Sequence, residues 1–169
     1  NHAVIYIFVN FDSQSFSTSI IFMLIGSVLT MLVHSWAAIM AITMILCSTG
    51  VLPIYQGIAL VMVENVGTTV TSILASLTAN TQARRAAFAH MFFNLFGVLW
   101  MLIVFRPFVH AVCGLVGYNA QLMAHDPGFA ANAAKLSFAL AAFHTAFNVI
   151  NTCVLMGFIK QIELKTKTT

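Results

Sequence analysis

From residue 16 to residue 47 the sequence carries no Asp, Glu, Lys or Arg and is almost continuously apolar. As one straight helix this run would reach about 48 Å, well beyond the ~30 Å hydrocarbon core of a bilayer. It has to break. Its most polar point is His34-Ser35-Trp36, which divides it into arms of about 27 Å and 16 Å. Two such arms suit a re-entrant helical hairpin, 16–47, with its tip at that triplet, and Ser48-Thr49-Gly50 with Pro53 then reads as a turn. The composition demands the same environment. With 60% hydrophobic and 7% charged residues, against about 25% charged in soluble domains, the chain cannot cover a water-facing surface. The expected class is an all-α integral membrane protein.

The remaining elements follow from length and polarity. Segment 54–79 has the length of one transmembrane helix, but its centre reads Glu64-Asn65-Val66-Gly67-Thr68-Thr69. So polar a centre is costly at membrane depth unless it lines a cavity, and the reading is a broken helix that resumes at Val70, with Gly67 at the break and Thr68 and Thr69 as caps. After a loop, 86–106 is a second span ending at Arg106-Pro107. Segment 107–129 reads as an interfacial helix and loop, 130–158 as the last span, and 159–169 as a tail. Residues 1–15 are expected to lie at the interface, and no signal peptide is visible. The opening Asn1 fits a fragment or processed product. Arg84, Arg85, Lys160, Lys165 and Lys167 share one side of this topology and Arg106 and Lys135 the other. By the positive-inside rule the richer side, with the tail, is cytoplasmic. One hairpin and three crossings make the kind of unit whose duplicate inserts upside down, so the chain reads as half of an inverted-repeat transporter.

Several function classes drop out. The basic residues form no stripe, so no nucleic-acid partner is expected. Cys47, Cys113 and Cys153 are unclustered, which points to free thiols and no metal-thiolate site. No nucleophile elbow, phosphate loop, dinucleotide fingerprint or zinc motif is present, so no enzyme is expected. What remains is the 64–69 segment as a candidate substrate or ion site, for which a polar kink packed on other helices is the plain alternative. At the hairpin tip Ser35 is a candidate ligand, with His34 and Trp36 as bulky neighbours. His90 with Asn94, and His144 with Asn148 and Asn151, place polar groups on one face of each later span, where interhelical hydrogen bonding is the simpler role. The stretches Ala89-His90-Met91-Phe92-Phe93-Asn94 and Phe143-His144-Thr145-Ala146-Phe147-Asn148 echo one another. Gly26, Ser27, Ala37, Ala38 and Ala41 read as close-packing positions.

Glu64-Asn65-Val66-Gly67-Thr68-Thr69-Val70-Thr71, followed by Ala83-Arg84-Arg85-Ala86-Ala87-Phe88-Ala89-His90-Met91-Phe92-Phe93-Asn94, resembles the second repeat of bacterial type II sodium/phosphate cotransporters. Phe143-His144-Thr145-Ala146-Phe147-Asn148-Val149 is similar to the final membrane helix of that family. The resemblance implies phosphate as substrate, sodium as coupling ion and only metal, no other cofactor, a lipid bilayer and a complementary repeat as partners, and a place in the bacterial inner membrane. The candidate substrate or ion ligands are then Ser35, Glu64, Asn65, Gly67, Thr68 and Thr69, with His34, Trp36, His90, Asn94, His144 and Asn148 as candidates for support around them. His34-Ser35-Trp36-Ala37-Ala38 falls on the family's Gln-Ser-Ser-Ser-Ala motif and keeps only the first serine and the alanine. Two readings follow: half of a sodium-coupled phosphate symporter, or a family-like membrane subunit that does not transport, or selects another solute.

Overall fold

The computed structural model describes residues 16–122 and 124–166, with side chains described for 17–122 and 124–158. Segment 1–15 and the last three residues of the expected tail lie outside the described residues. Among the described residues six helices follow one another: α1 (Phe16–Val33), α2 (Trp36–Ser48), α3 (Ile54–Ser76), α4 (Thr81–Val116), α5 (Phe129–Ala133) and α6 (Leu136–Thr166). Three stretches, Ile54–Ser76, Thr81–Val116 and Phe129–Phe158, are long and apolar enough to cross a membrane, and α1 and α2 are shorter apolar helices. The protein is an all-helical integral membrane protein.

The hairpin turns where its polarity peaks. His34 takes a left-handed backbone (φ 56), which an ordinary L-residue tolerates for one position but not for a helix. Ser35 follows in extended conformation and caps α2, its Oγ accepting from Ala38 N at 3.3 Å. At the other end of α2 the hydroxyls of Ser48 and Thr49 donate to Ile45 O at 3.0 and 2.9 Å, and Gly50 (φ 74) lets the chain reverse.

Helix α3 is the centre of the bundle and touches α1, α2, α4 and α6. Its residues from Ile58 to Glu64 are all buried, on every side, as a helix surrounded by others must be. Its neighbours come close because small residues meet it. A Cβ added at Gly26 would lie 2.8 Å from Val63 Cγ2, and one at Gly67 would lie 2.6 Å from Thr30 Cβ. Contacts that ascend together in both helices make α1 and α3 parallel. Thr43 and Cys47 of α2 straddle Gly57, near the start of α3, while Trp36 lies against α6 near Asn65. So α2 runs back antiparallel, and α1 and α2 form the expected hairpin. Carrying the register forward from Thr30 and Gly67 puts the tip beside Thr71, about 26 Å from the start of α3 and about 8 Å short of its end.

Three boundaries differ from the sequence reading. The expected break at 64–69 is absent, and α3 is helical throughout. The hydroxyls there satisfy themselves by donating back to their own helix, Thr68 to Asn65 O at 2.9 Å and Thr69 to Val66 O at 2.7 Å. Gly67 serves close approach to α1 and not backbone irregularity. The second span is longer than 86–106: α4 begins at Thr81, capped by Asn80 accepting from Ala83 N at 2.9 Å, and continues through Pro107 to Val116. Membrane helices tolerate such a proline, and Val109, Val112 and Cys113 beyond it are buried in the core. Finally, the last span is divided by a turn at Ala134 and Lys135 into α5 and α6, and α6 runs on through 159–166.

The connections are tied down. Arg84 donates to Ser76 O (3.3 Å) and to Leu77 O, a cation on carbonyls at the C-terminal end of α3. Gly117 (φ 67) ends α4, and Lys135 Nζ donates to its carbonyl at 2.9 Å, a cation at the negative end of the helix dipole. Asn132 accepts from Asn119 N and donates to Asn119 O, both at 2.8 Å.

Candidate functional site

The polar residues singled out on α3 fall on more than one face, because successive residues turn about 100° round a helix. Asn65 looks toward α6, where its Nδ2 donates to Asn148 Oδ1 at 3.3 Å. Gly67 looks toward α1. Thr69 is fully buried, whereas Thr68, Thr71 and Ser72 are half-buried. Their hydroxyl hydrogens are used by carbonyls of α3, but each oxygen keeps acceptor capacity. Glu64 is 1% exposed, and neither of its carboxylate oxygens has a hydrogen-bond partner among the described residues.

The hairpin tip is brought to the same level. Trp36, the first residue of α2, is 56% exposed and stacks on His144 of α6, with ring centroids 6.4 Å apart and planes at 7°. One turn further along α6, Asn148 donates to His144 O at 2.8 Å and accepts from Asn65. A continuous chain of contacts, Trp36 to His144 to Asn148 to Asn65, therefore joins the tip to the polar segment of α3. Ser35 is half-buried beside it, and the first N–H groups of α2, at the positive end of its dipole, open at the tip. His34 is exposed, its Nδ1 3.1 Å from Leu32 O.

His90 and Asn94 are not part of this group. Asn94 donates to His90 O at 2.9 Å within α4, and neither makes a hydrogen bond or ring contact with the tip. The echo between the two His and Asn pairs is nonetheless real at the local level, since Asn148 bonds His144 in the same way. Asn151, fully buried, clamps α6 to α4 by donating to Phe93 O and accepting from Trp100 Nε1, both at 3.1 Å. Among the described residues no three His, Cys, Asp or Glu side chains group to hold a metal ion.

One residue was not singled out from the sequence. Thr43, 1% exposed, has a hydroxyl oxygen without a partner among the described residues. The available signal was that it is the sole hydroxyl side chain between Trp36 and Cys47.

The sequence profile of the Na+/Pi-cotransporter family matches residues 8–124. Among curated proteins, the uncharacterized protein YqeW of Bacillus subtilis is 31% identical over 134 residues, which is 79% of this chain and 38% of that protein. The sodium-dependent phosphate transport protein 2C of mouse is 35% identical over 85 residues, 47% of this chain and 14% of its own length. The chain thus spans well under half of each relative. No solved structure matches it with significance.

Proposed function

Because this chain belongs to the Na+/Pi-cotransporter family, a family of transporters, we propose that it is one half of the transport domain of a sodium-coupled phosphate symporter. The observation that carries this reading is the contact chain from Trp36 through His144 and Asn148 to Asn65, which sets a helix N-terminus and Ser35 level with the polar segment of α3. A dehydrated oxyanion needs donors in place of water, and free N–H groups at a helix start supply them. Ser35 and the α2 N-terminus would face phosphate, with Asn65, Gly67, Thr68 and Thr69 framing the site and Glu64 serving the cation. His34, Trp36, His144 and Asn148 would position these groups, and His90 and Asn94 would support α4 from further off. A complementary, inverted repeat would close the site from the other side, and sodium would couple transport by alternating access. The setting is a bacterial inner membrane, with Arg84, Arg85 and the C-terminal lysines in the cytoplasm.

A specific observation favours the second reading, a subunit that does not carry phosphate. Trp36 and His144 stack where the related motif has hydroxyls, so an indole covers the tip. Sodium-dependent phosphate uptake in vesicles containing the full-length protein separates the two, measured beside the triple variant His34→Gln, Trp36→Ser, Ala37→Ser. Robust native uptake that falls in the triple variant upholds the symporter. Negligible native uptake that rises in the triple variant upholds the second reading and refutes the first.

A further inference from the structure

Helix α4 is longer than a membrane core is thick. Its 36 residues reach about 54 Å, against a hydrocarbon core of ~30 Å. Arg85 and Arg106 stand about 32 Å apart along it, so the two arginines mark the two edges of the core, and the turns after Pro107 rise among the lipid headgroups. One face of the helix changes character in the same order. At about 100° per residue, Leu99, Ile103, Arg106, Gly114 and Gly117 all fall within about 40° of the line through His110. Leu99 and Ile103, on the core side, are 56% and 84% exposed. Arg106 and His110 are exposed at the boundary, and beside the turns that follow lies a cavity of about 330 Å³ whose lining includes His110, Gly114 and Gly117. Asn119 and Gln121 also line it. Asn119 Oδ1 accepts from Gln121 N at 3.0 Å, which leaves the Asn119 amide hydrogens as donors. Lys135 Nζ stands at the rim, bonded to Gly117 O at 2.9 Å, with two further ammonium hydrogens to give. Among the described residues no Asp or Glu lines the cavity. Space beside α4 is open there, since a Cβ on Gly114 would meet nothing within 4 Å.

We propose that this face of α4 binds an anionic phospholipid, with the phosphate on Arg106 and His110, the polar headgroup in the cavity beside Asn119, Gln121 and Lys135, and an acyl chain along Ile103 and Leu99. Three features choose this occupant. The cationic and donor groups match a phosphodiester, and a lining without an acid spares it repulsion. The exposed apolar pair directly below the basic pair gives a bed for a chain, which free phosphate lacks. The order apolar, basic, polar along about 27 Å of helix is also the order of chain, phosphate and headgroup in the lipid itself. A zwitterionic lipid would set its own ammonium beside Lys135, so phosphatidylglycerol, whose headgroup ends in hydroxyls, fits better. The site shares no residue with the hairpin tip or the polar segment of α3, and it stands whether or not the protein moves phosphate.

The test is lipid binding to the purified full-length protein in detergent, counted by native mass spectrometry as phosphatidylglycerol or phosphatidylcholine is added. The native protein should hold one phosphatidylglycerol about tenfold tighter than phosphatidylcholine. Arg106→Gln combined with His110→Gln should abolish that preference, and Gly114→Phe, which fills the open cavity, should weaken phosphatidylglycerol about tenfold. All three positions are exposed, so the variants are expected to fold. An unchanged result in either variant overturns the site. Release of phosphatidylglycerol by inorganic phosphate also overturns it, since the groups then serve a free anion. A native protein without lipid preference overturns it as well, and assigns this face to a protein neighbour.

Discussion

Adding one methyl group at Gly67 should loosen the hairpin from α3. A Cβ there would sit 2.6 Å from Thr30 Cβ, 2.9 Å from Ser27 O and 3.0 Å from Thr30 Cγ2. Ordinary carbon contacts lie at about 3.5 to 4.0 Å, so the two helices would have to separate by about 1 Å. Two of the three obstacles cannot turn away, because Ser27 O is backbone and Thr30 Cβ is fixed to it. Thr30 is itself fully buried and anchored by its hydroxyl to Gly26 O at 2.8 Å. Overpacking of this kind costs about 1 to 3 kcal/mol, against which the helix propensity of alanine over glycine returns about 1 kcal/mol at most. Gly67→Ala should therefore destabilise by about 1 to 2 kcal/mol, and Gly67→Leu by more. Gly114 is the matched control: it also lies inside a helix, but a Cβ there meets nothing within 4 Å. Gly114→Ala should be neutral or stabilise by up to about 1 kcal/mol. Both are read by denaturant unfolding of the purified protein in mild detergent. Equal stability changes in the two alanine variants would refute close packing as the reason for Gly67.

Asn151→Leu should destabilise by about 1 to 2 kcal/mol, since it leaves the Trp100 Nε1–H without its acceptor and removes the tie to Phe93 O, and Asn151→Gln should not restore the loss because the buried amide already lies against Gly97, with no room for an extra methylene; unfolding midpoints check both. A cysteine at Leu122 in a cysteine-free background should be labelled by an impermeant reagent only from outside the cell, and labelling only from the cytoplasm would invert the topology. Tyr118, buried at the end of α4, is pushed up to about 12 by burial, with the Cys47 and Cys113 thiolates adding to it. Its stabilising contribution is complete below pH ~10, the usual tyrosine value, and is lost as pH rises from there toward 12. Unfolding followed across that window should show a steeper loss in the native protein than in Tyr118→Phe.

What the sequence made legible is what length and polarity decide locally. A run from 16 to 47 without charge could not be one helix, and the break fell at His34 and Ser35 because a left-handed residue and a capping serine are local events. The polar centre of α3 misled for an equally local reason. Threonine hydroxyls can donate to the carbonyls of their own helix, so a cluster of them does not demand a break, and the fate of Gly67 depended on Thr30, which is distant in sequence. Pro107 looked like a terminator by propensity, but burial of Val109, Val112 and Cys113 carries the helix past it. Thr43 stayed hidden because its unpaired oxygen becomes visible only once α2 is laid antiparallel on α3, a register no local pattern states. The continuity of α3 has a chemical consequence. An unwound helix would offer backbone carbonyls to a cation, but the carbonyls of an unbroken one are occupied by its own N–H groups and threonines. Ligands along α3 must then come from side chains. Among the buried side chains of that helix, the one acid is Glu64, and any side-chain ligand beside it has to come from a helix packed against α3.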